Sequence, residues 1–233
     1  MSVLVEAQSL SSGYTGQAVV RGIDLKVEAS QVVVLLGPNG AGKTTTLLTL
    51  AGEIAPLSGT VAFYGEPAAR GLHRRARGGM SFVTEERSVF MDFTVEENLR
   101  VGRCDVDHVL ELFPELKVLL KRRAGLLSGG EQQMVTLGRA LARKPKVLLI
   151  DELSLGLAPL VVSRLLTAVR QACDETGIGV LLIEQHVDQA MKIADYVYVM
   201  QRGEIVLHGR AADVASRVQE IEASYLEATT TKK

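Results

Sequence analysis

The octapeptide Gly37-Pro38-Asn39-Gly40-Ala41-Gly42-Lys43-Thr44 constrains this chain more than any other feature. It fits G-x-x-x-x-G-K-[ST] without a mismatch, after the apolar β-branched run Val32–Leu36 and before a stretch, Thr45–Ala51, that reads as helix. A run such as Val32–Leu36 is expected of a strand buried on both faces. Glycines let backbone N–H groups curve around a phosphate, Lys43 adds a point charge on the β/γ-phosphates, and the Thr44 hydroxyl is a Mg²⁺ ligand. The following helix, with Thr45 in its first turn, directs its dipole at the anion. The ordinary alternative is a Gly-rich turn that merely links strand to helix. In a chain of average glycine content a chance match is on the order of 1%.

The remaining pattern supports an α/β fold. Leu4–Ala7 and Ile23–Val27 read as short strands with a turn at Ser11-Ser12-Gly13. Gly59–Tyr64, Met80–Thr84, Val147–Ile150 and Val180–Ile183 read as further strands, with a helix from Pro159 to about Asp174. Tyr196–Met200 and Glu204–Leu207 flank Gln201-Arg202-Gly203, a hairpin signal. Between Thr94 and Arg143 the character is helical: Thr94-x-x-Glu97 has the form of a capping box, and Val109–Leu120 carries apolar residues at helical spacing. The expectation is one domain with a mainly parallel sheet core, residues 1–85 and 144–233, an antiparallel β part, and an inserted helical subdomain over about 86–143.

A second constellation completes the chemistry. Lys146–Glu152 is an apolar strand ending in two carboxylates, at the edge where α/β sheets place ligands. Asp151 is suited to hold Mg²⁺ through water, and Glu152 to accept a proton from the attacking water or orient it. Alone, such a pair is more commonly a solvated strand end; beside a phosphate loop, hydrolysis accounts for both carboxylates. Leu126-Leu127-Ser128-Gly129-Gly130-Glu131 includes a capping box, yet two glycines in a first helical turn cost about 1 kcal/mol each against alanine. That cost is understandable if a phosphate must approach the backbone, with the serine hydroxyl, bare N–H groups and helix dipole forming a second anion site.

At these residues the chain resembles the ABC (ATP-binding cassette) ATPases, whose LSGGQ signature it matches with Glu131 in the final position. The resemblance covers almost the whole chain and implies the P-loop NTPase fold of that family. It implies that Tyr14 stacks on adenine, where a lone tyrosine would otherwise read as core packing. It also implies that Glu85 lies in the Q-loop near Mg²⁺ and a transmembrane partner, and that Ser154–Leu157 form the D-loop. His186 would be the switch histidine at the γ-phosphate. Implied too are a head-to-tail pair with a second ATPase subunit, each ATP lying between one phosphate loop and the other subunit's Ser128–Glu131, and permease subunits driven by that cycle. Glu85-x-Arg87, Thr94–Leu99, Leu112–Pro114, Ser154–Pro159, Glu184–His186 and Tyr225-Leu226 look like the shorter ATPase of branched-chain amino-acid importers, which also work with a solute-binding protein; urea and amide importers share much of this pattern. Two positions depart from it. Glu85 stands where glutamine is usual, and Leu153 replaces the proline after Glu152, which is expected to loosen the link to the D-loop. Neither change argues for an inactive site, because Lys43, Asp151, Glu152, Ser128 and His186 are all present; the alternatives are the motor of a urea, amide or other ABC transporter, or a non-hydrolysing ATP-binding partner subunit.

Composition narrows the classes. With 26 basic and 27 acidic residues, and only short basic clusters at Arg74-Arg75-x-Arg77 and Lys121–Arg123 that read as solvated faces, no nucleic-acid partner is expected. Apolar runs of four or five residues fall far short of the roughly 20 a membrane span needs. The opening Met1–Glu6 does not read as a secretory signal, so the expected place is the cytoplasm, held to the inner membrane face through permeases. Cys104 and Cys173 lack metal-ligand spacing and are expected as reduced thiols.

Overall fold

The computed structural model describes residues 2–218 and 220. Two sheets share one interior. The first is antiparallel, in the order β2 (Gln17–Glu28), β1 (Val3–Tyr14), β4 (Ser58–Phe63), β5 (Glu66–Pro67). The second has six strands, ordered β10 (Glu204–Arg210), β9 (Tyr196–Gln201), β3 (Val32–Leu36), β8 (Gly179–Glu184), β7 (Val147–Asp151), β6 (Met80–Val83). All its neighbours pair in parallel except β9 and β10, which form the expected hairpin. This is the anticipated mainly parallel core with an antiparallel β part.

Strand alternation explains the continuous apolar runs. Val32, Val34 and Leu36 pack with Leu148, Ile150, Val180 and Leu182 into a core shared with α5 (Gly129–Ala142) and α6 (Pro159–Thr176). Val33 and Leu35 face the other way, with Val147, Leu149, Leu181 and Ile183, against the antiparallel sheet and α1 (Lys43–Ala51). Both faces are covered, so every residue of β3 and β7 is buried.

Three local expectations are corrected. Ser11-Ser12-Gly13 is not a turn but an irregular part of β1, where the register against β2 shifts. A Cβ on Gly13 would meet the Gln17 carbonyl oxygen at 1.9 Å, so glycine is needed for close strand approach. The reversal comes at Thr15-Gly16, both with positive φ (50° and 81°), as a two-residue hairpin turn demands. Second, the helix expected over Val109–Leu120 is α4 (Val106–Leu112), followed by a 3₁₀ segment Pro114–Leu119. Pro114 lacks an N–H and biases Phe113 away from helix (φ −131°, ψ 75°), which ends α4. Third, the basic run 74–77 is not wholly solvated. Arg75, on α2 (Leu72–Arg77), is buried.

Elsewhere the helical region comprises α3 (Val95–Val101), α4, the 3₁₀ segments Pro114–Leu119 and Ala124–Leu126, and α5. The capping boxes at Thr94 and Ser128 both form. α7 (Val187–Met191) follows β8, and residues 211–218 are helical. Both cysteines are free thiols, and burial pushes Cys173 up to about 11. Tyr225-Leu226 lie outside the described residues.

Candidate ATP site

The parallel strands bring the candidate residues to one edge. Leu36 pairs with Glu184, Ile183 with Asp151 and Ile150 with Val83, so the carboxyl ends of β3, β8, β7 and β6 lie side by side. Each end feeds a candidate segment: Gly37–Thr44 from β3, Gln185-His186 from β8, Glu152 from β7 and Glu85 from β6.

The phosphate loop folds tightly because three glycines take positive φ, at Gly37, Gly40 and Gly42. At Gly37 (φ 150°) an added Cβ would lie 2.3 Å from the Met200 carbonyl oxygen on β9. Only glycine allows the chain to leave β3 in that direction. Val19 and Val20 of β2 lie against Gly42, which sets the β1–β2 hairpin beside the loop. Tyr14, the last residue of β1, is 51% exposed there. Pro38 and Asn39 lie in the loop, Ala41 and Thr45 are buried, and Thr44 is exposed.

Lys43 curls back over the loop. Its Nζ donates to the carbonyls of Gly37 (2.8 Å) and Pro38 (3.2 Å) and stands 4.0 Å from Glu152 Oε1. Burial draws the ammonium below the usual lysine range, opposed by the carboxylates of Glu152, Asp151 and Glu184. The Thr44 hydroxyl donates to Asp151 Oδ1 at 3.4 Å. Burial pushes Asp151 up to about 6, with Glu152 and Glu85 adding to the shift and Thr44 and Lys43 opposing it. Asp151 has no ion-pair partner among the described residues, so this buried carboxylate beside a hydroxyl has the donor chemistry for a hard cation. No cluster of three or more His, Cys, Asp or Glu suited to a metal occurs among the described residues. A Mg²⁺ held here would need nucleotide phosphates and water to complete its shell, as Mg²⁺ commonly does.

A pH dependence follows from Asp151. A cation competes with the proton, so Mg²⁺-dependent nucleotide affinity should fall as pH drops through about 6. Without ligand the sign reverses for stability. The folded chain holds this proton more tightly than the unfolded chain, whose reference is 3.8, so the stabilisation is lost as pH rises through about 6. Asp151→Asn should therefore raise the Tm of ligand-free protein at pH 7.5 by about 5 °C while abolishing the Mg²⁺ dependence of binding. Thermal unfolding with and without Mg-nucleotide tests both parts.

Glu152 has φ 46°, an uncommon conformation for a non-glycine residue. Its N–H donates to the Ile183 carbonyl (3.1 Å), and Gln185 Nε2 reaches both its carboxylate oxygens at 2.7 Å. The neighbour on Glu152 is thus Gln185, which sequence reasoning passed over, whereas His186 is exposed at the start of α7. The available signal was that Glu184-Gln185, like Asp151-Glu152, ends an apolar strand with polar residues. Glu85 is exposed, yet close enough for its charge to act on Asp151.

The Ser128–Glu131 segment opens α5. Ser128 Oγ accepts from the Glu131 N–H, and Glu131 Oε2 accepts from the Ser128 N–H at 2.6 Å. No hydrogen bond or ion pair among the described residues joins it to Lys43, Thr44, Asp151 or Glu152. Its glycines have a packing reason that the sequence did not display. A Cβ on Gly130 would lie 2.7 Å from Val161 Cγ1 of α6, and one on Gly129 would lie 2.7 Å from the Arg87 guanidinium.

Residues 20–154 match the family described as ABC transporter. Over 220 residues the chain is 41% identical to the high-affinity branched-chain amino acid transport ATP-binding protein BraG of Pseudomonas aeruginosa, covering 90% of this chain and 94% of that protein. It is also 32% identical to the lipopolysaccharide export system ATP-binding protein LptB of Escherichia coli K12, covering 89% and 91%. Among solved structures it is similar to an ATP binding subunit of an ABC transporter, with TM-score 0.82 and 27% identity over 97% of this chain and 99% of that one.

Proposed function

This chain belongs to the ABC transporter family of ATP-binding subunits, and from that premise we propose that it hydrolyses ATP to power an importer of branched-chain amino acids. The observation that carries hydrolysis is the meeting of Lys43, Thr44, Asp151 and Glu152 at one sheet edge. In this reading the loop 37–45 binds the phosphates and Tyr14 faces the adenine. Lys43 exchanges the Gly37 and Pro38 carbonyls for β/γ-phosphate oxygens. Thr44 and Asp151, with Glu85 nearby, hold Mg²⁺, which supplies charge neutralisation on the phosphates when bound. Glu152 takes the proton of the attacking water, and His186, being exposed, is free to reach the γ-phosphate.

Ser128, Gly129, Gly130 and Glu131 serve the ATP of a second ATPase subunit, which fits a segment with no bond to the chain's own phosphate loop. Permease subunits carry the membrane path. Among the described residues no helix is long and apolar enough to cross a membrane. We place the chain on the cytoplasmic face through those partners, with a solute-binding protein acting at a further remove. The helical insert at about 86–143 is retained as a subdomain of the single cassette.

The choice of substrate class rests on likeness: identity to BraG, 41%, exceeds identity to LptB, 32%. The test is ATP hydrolysis by the purified chain beside Lys43→Ala, followed by uptake into vesicles carrying the permeases. Hydrolysis should be present in the wild type and lost in the variant, and uptake should be seen with leucine, isoleucine or valine. Turnover that survives Lys43→Ala would refute the site, and uptake of only an unrelated solute would refute the substrate class.

A further inference from the structure

Two adjacent residues at the end of β8 hold opposite flanks of Leu153. Gln185 Nε2 donates to both oxygens of Glu152 at 2.7 Å. Glu184, 1% exposed, accepts from the Ser154 N–H (3.1 Å, at Oε1) and from the Ser154 hydroxyl (2.6 Å, at Oε2). Between them Leu153 is itself buried in the core shared with α5 and α6. The segment 152–154 is thus tied to β8 at both ends and anchored in its middle.

Such tethering answers a definite need. Glu152 sits at φ 46°, a strained conformation that persists only when its surroundings over-determine it. Leucine at 153 permits that conformation, whereas a proline there would bias Glu152 toward extended backbone. Beyond Ser154 the chain turns at once, with the Leu157 N–H donating to the Ser154 carbonyl (3.1 Å) and Leu155 exposed. Ser154 therefore marks where the path of the loop 155–157 begins.

We infer that Glu184 and Gln185 are positioning residues, Gln185 aiming the Glu152 carboxylate and Glu184 fixing Ser154. The inference rests on Glu152 acting as the base, as proposed above. Glu184 suits its place: burial raises its carboxyl above the ordinary range, and the Ser154 donors and the Gln185 N–H oppose that shift by stabilising the charged form. A buried carboxylate so supplied is hydrogen-bonded as burial requires.

Steady-state ATPase of the purified full chain tests this with Gln185→Ala, Ser154→Ala and the double variant. Each single substitution should lower kcat about tenfold with KM for ATP unchanged, since aim and not binding is lost. Because both ties hold one segment, the double variant should lose less than the product of the single losses. Wild-type kcat in both single variants, or losses that multiply, would overturn the tether. Lys43→Ala separates the two levels. If it leaves turnover intact, the reading of the site has failed; if it abolishes turnover while Gln185→Ala and Ser154→Ala match the wild type, only the tether has failed.

Discussion

Glu152→Gln is expected to lower ATP turnover by about 10²–10⁴-fold, the span over which a positioned general base contributes, while leaving nucleotide binding intact. The side chain touches the two groups that define its role: Lys43 Nζ at 4.0 Å on the phosphate-loop side and Gln185 Nε2 at 2.7 Å on the β8 side. The substituted amide keeps a carbonyl oxygen to accept from Gln185, so the local backbone is preserved. It loses the charge and the basicity that take a proton from water. Binding should hold or tighten, because Thr44 and Asp151 are unaltered and one negative charge beside the phosphates is gone. Unhydrolysed ATP between two cassettes should then trap a dimer. Turnover by phosphate release, nucleotide affinity and mass by light scattering measure the three parts; near-normal turnover would remove Glu152 from the role.

The second large effect is on stability. Arg75→Leu should lower Tm by about 6–12 °C, from a loss of about 3 kcal/mol in a chain of this size. Arg75 is buried, and no ion pair with it occurs among the described residues. Instead Nη1 donates to the carbonyls of Thr49 (2.7 Å) and Leu50 (2.5 Å), Nε donates to that of Ala69 (2.8 Å), and the guanidinium lies 5.7 Å from the centre of the Phe63 ring. Thr49 and Leu50 belong to the last turn of α1, the helix whose first turn carries Lys43 and Thr44. A cation there meets the negative end of the helix dipole and adds a donor to the last-turn carbonyls, that of Thr49 also accepting from the Gly52 N–H at 3.2 Å. Burial nevertheless pulls Arg75 below the usual arginine range, so the site needs every acceptor it has. Arg75→Lys should recover only part of the loss, since an ammonium does not reproduce the planar fork. Thermal unfolding of both variants decides the matter: equal losses would show that charge alone contributes nothing, and an unchanged Tm in Arg75→Leu would remove Arg75 from the role.

How much of this was legible beforehand depended on the range of the interaction concerned. Val32–Leu36 and Val147–Asp151 announced buried parallel strands because both faces of such a strand are apolar. The capping boxes at Thr94 and Ser128 were readable because donor and acceptor are three residues apart. The hairpin after Tyr196 was equally local. Ser11-Ser12-Gly13 misled because turn-forming residues also serve strands that bulge and approach closely, and only the pairing with Gln17 showed which applied. Pro114 was visible, but the apolar spacing on either side of it suggested one helix through Leu120, where its missing N–H and ring ended one and began a tighter one.

The candidate site divides in the same way. The identity of Gly37–Thr44 and the Asp151-Glu152 pair belonged to the sequence, since loop geometry and strand-end chemistry are written in consecutive residues. Their convergence is tertiary: Thr44 meets Asp151, and Lys43 faces Glu152, only because β3, β8 and β7 align their carboxyl ends. Tertiary structure alone also decided that Gln185 holds Glu152, that Glu184 holds Ser154, that Val161 excludes a side chain at Gly130, and that Arg75 leaves its basic run to close α1. These contacts join residues far apart in the chain, and no periodicity or spacing within a segment encodes such a meeting. What a linear pattern determines is the chemistry each segment brings to the fold; which groups finally touch is settled by the packing of buried strands and helices, where a side chain displaced by one position finds a different partner or none.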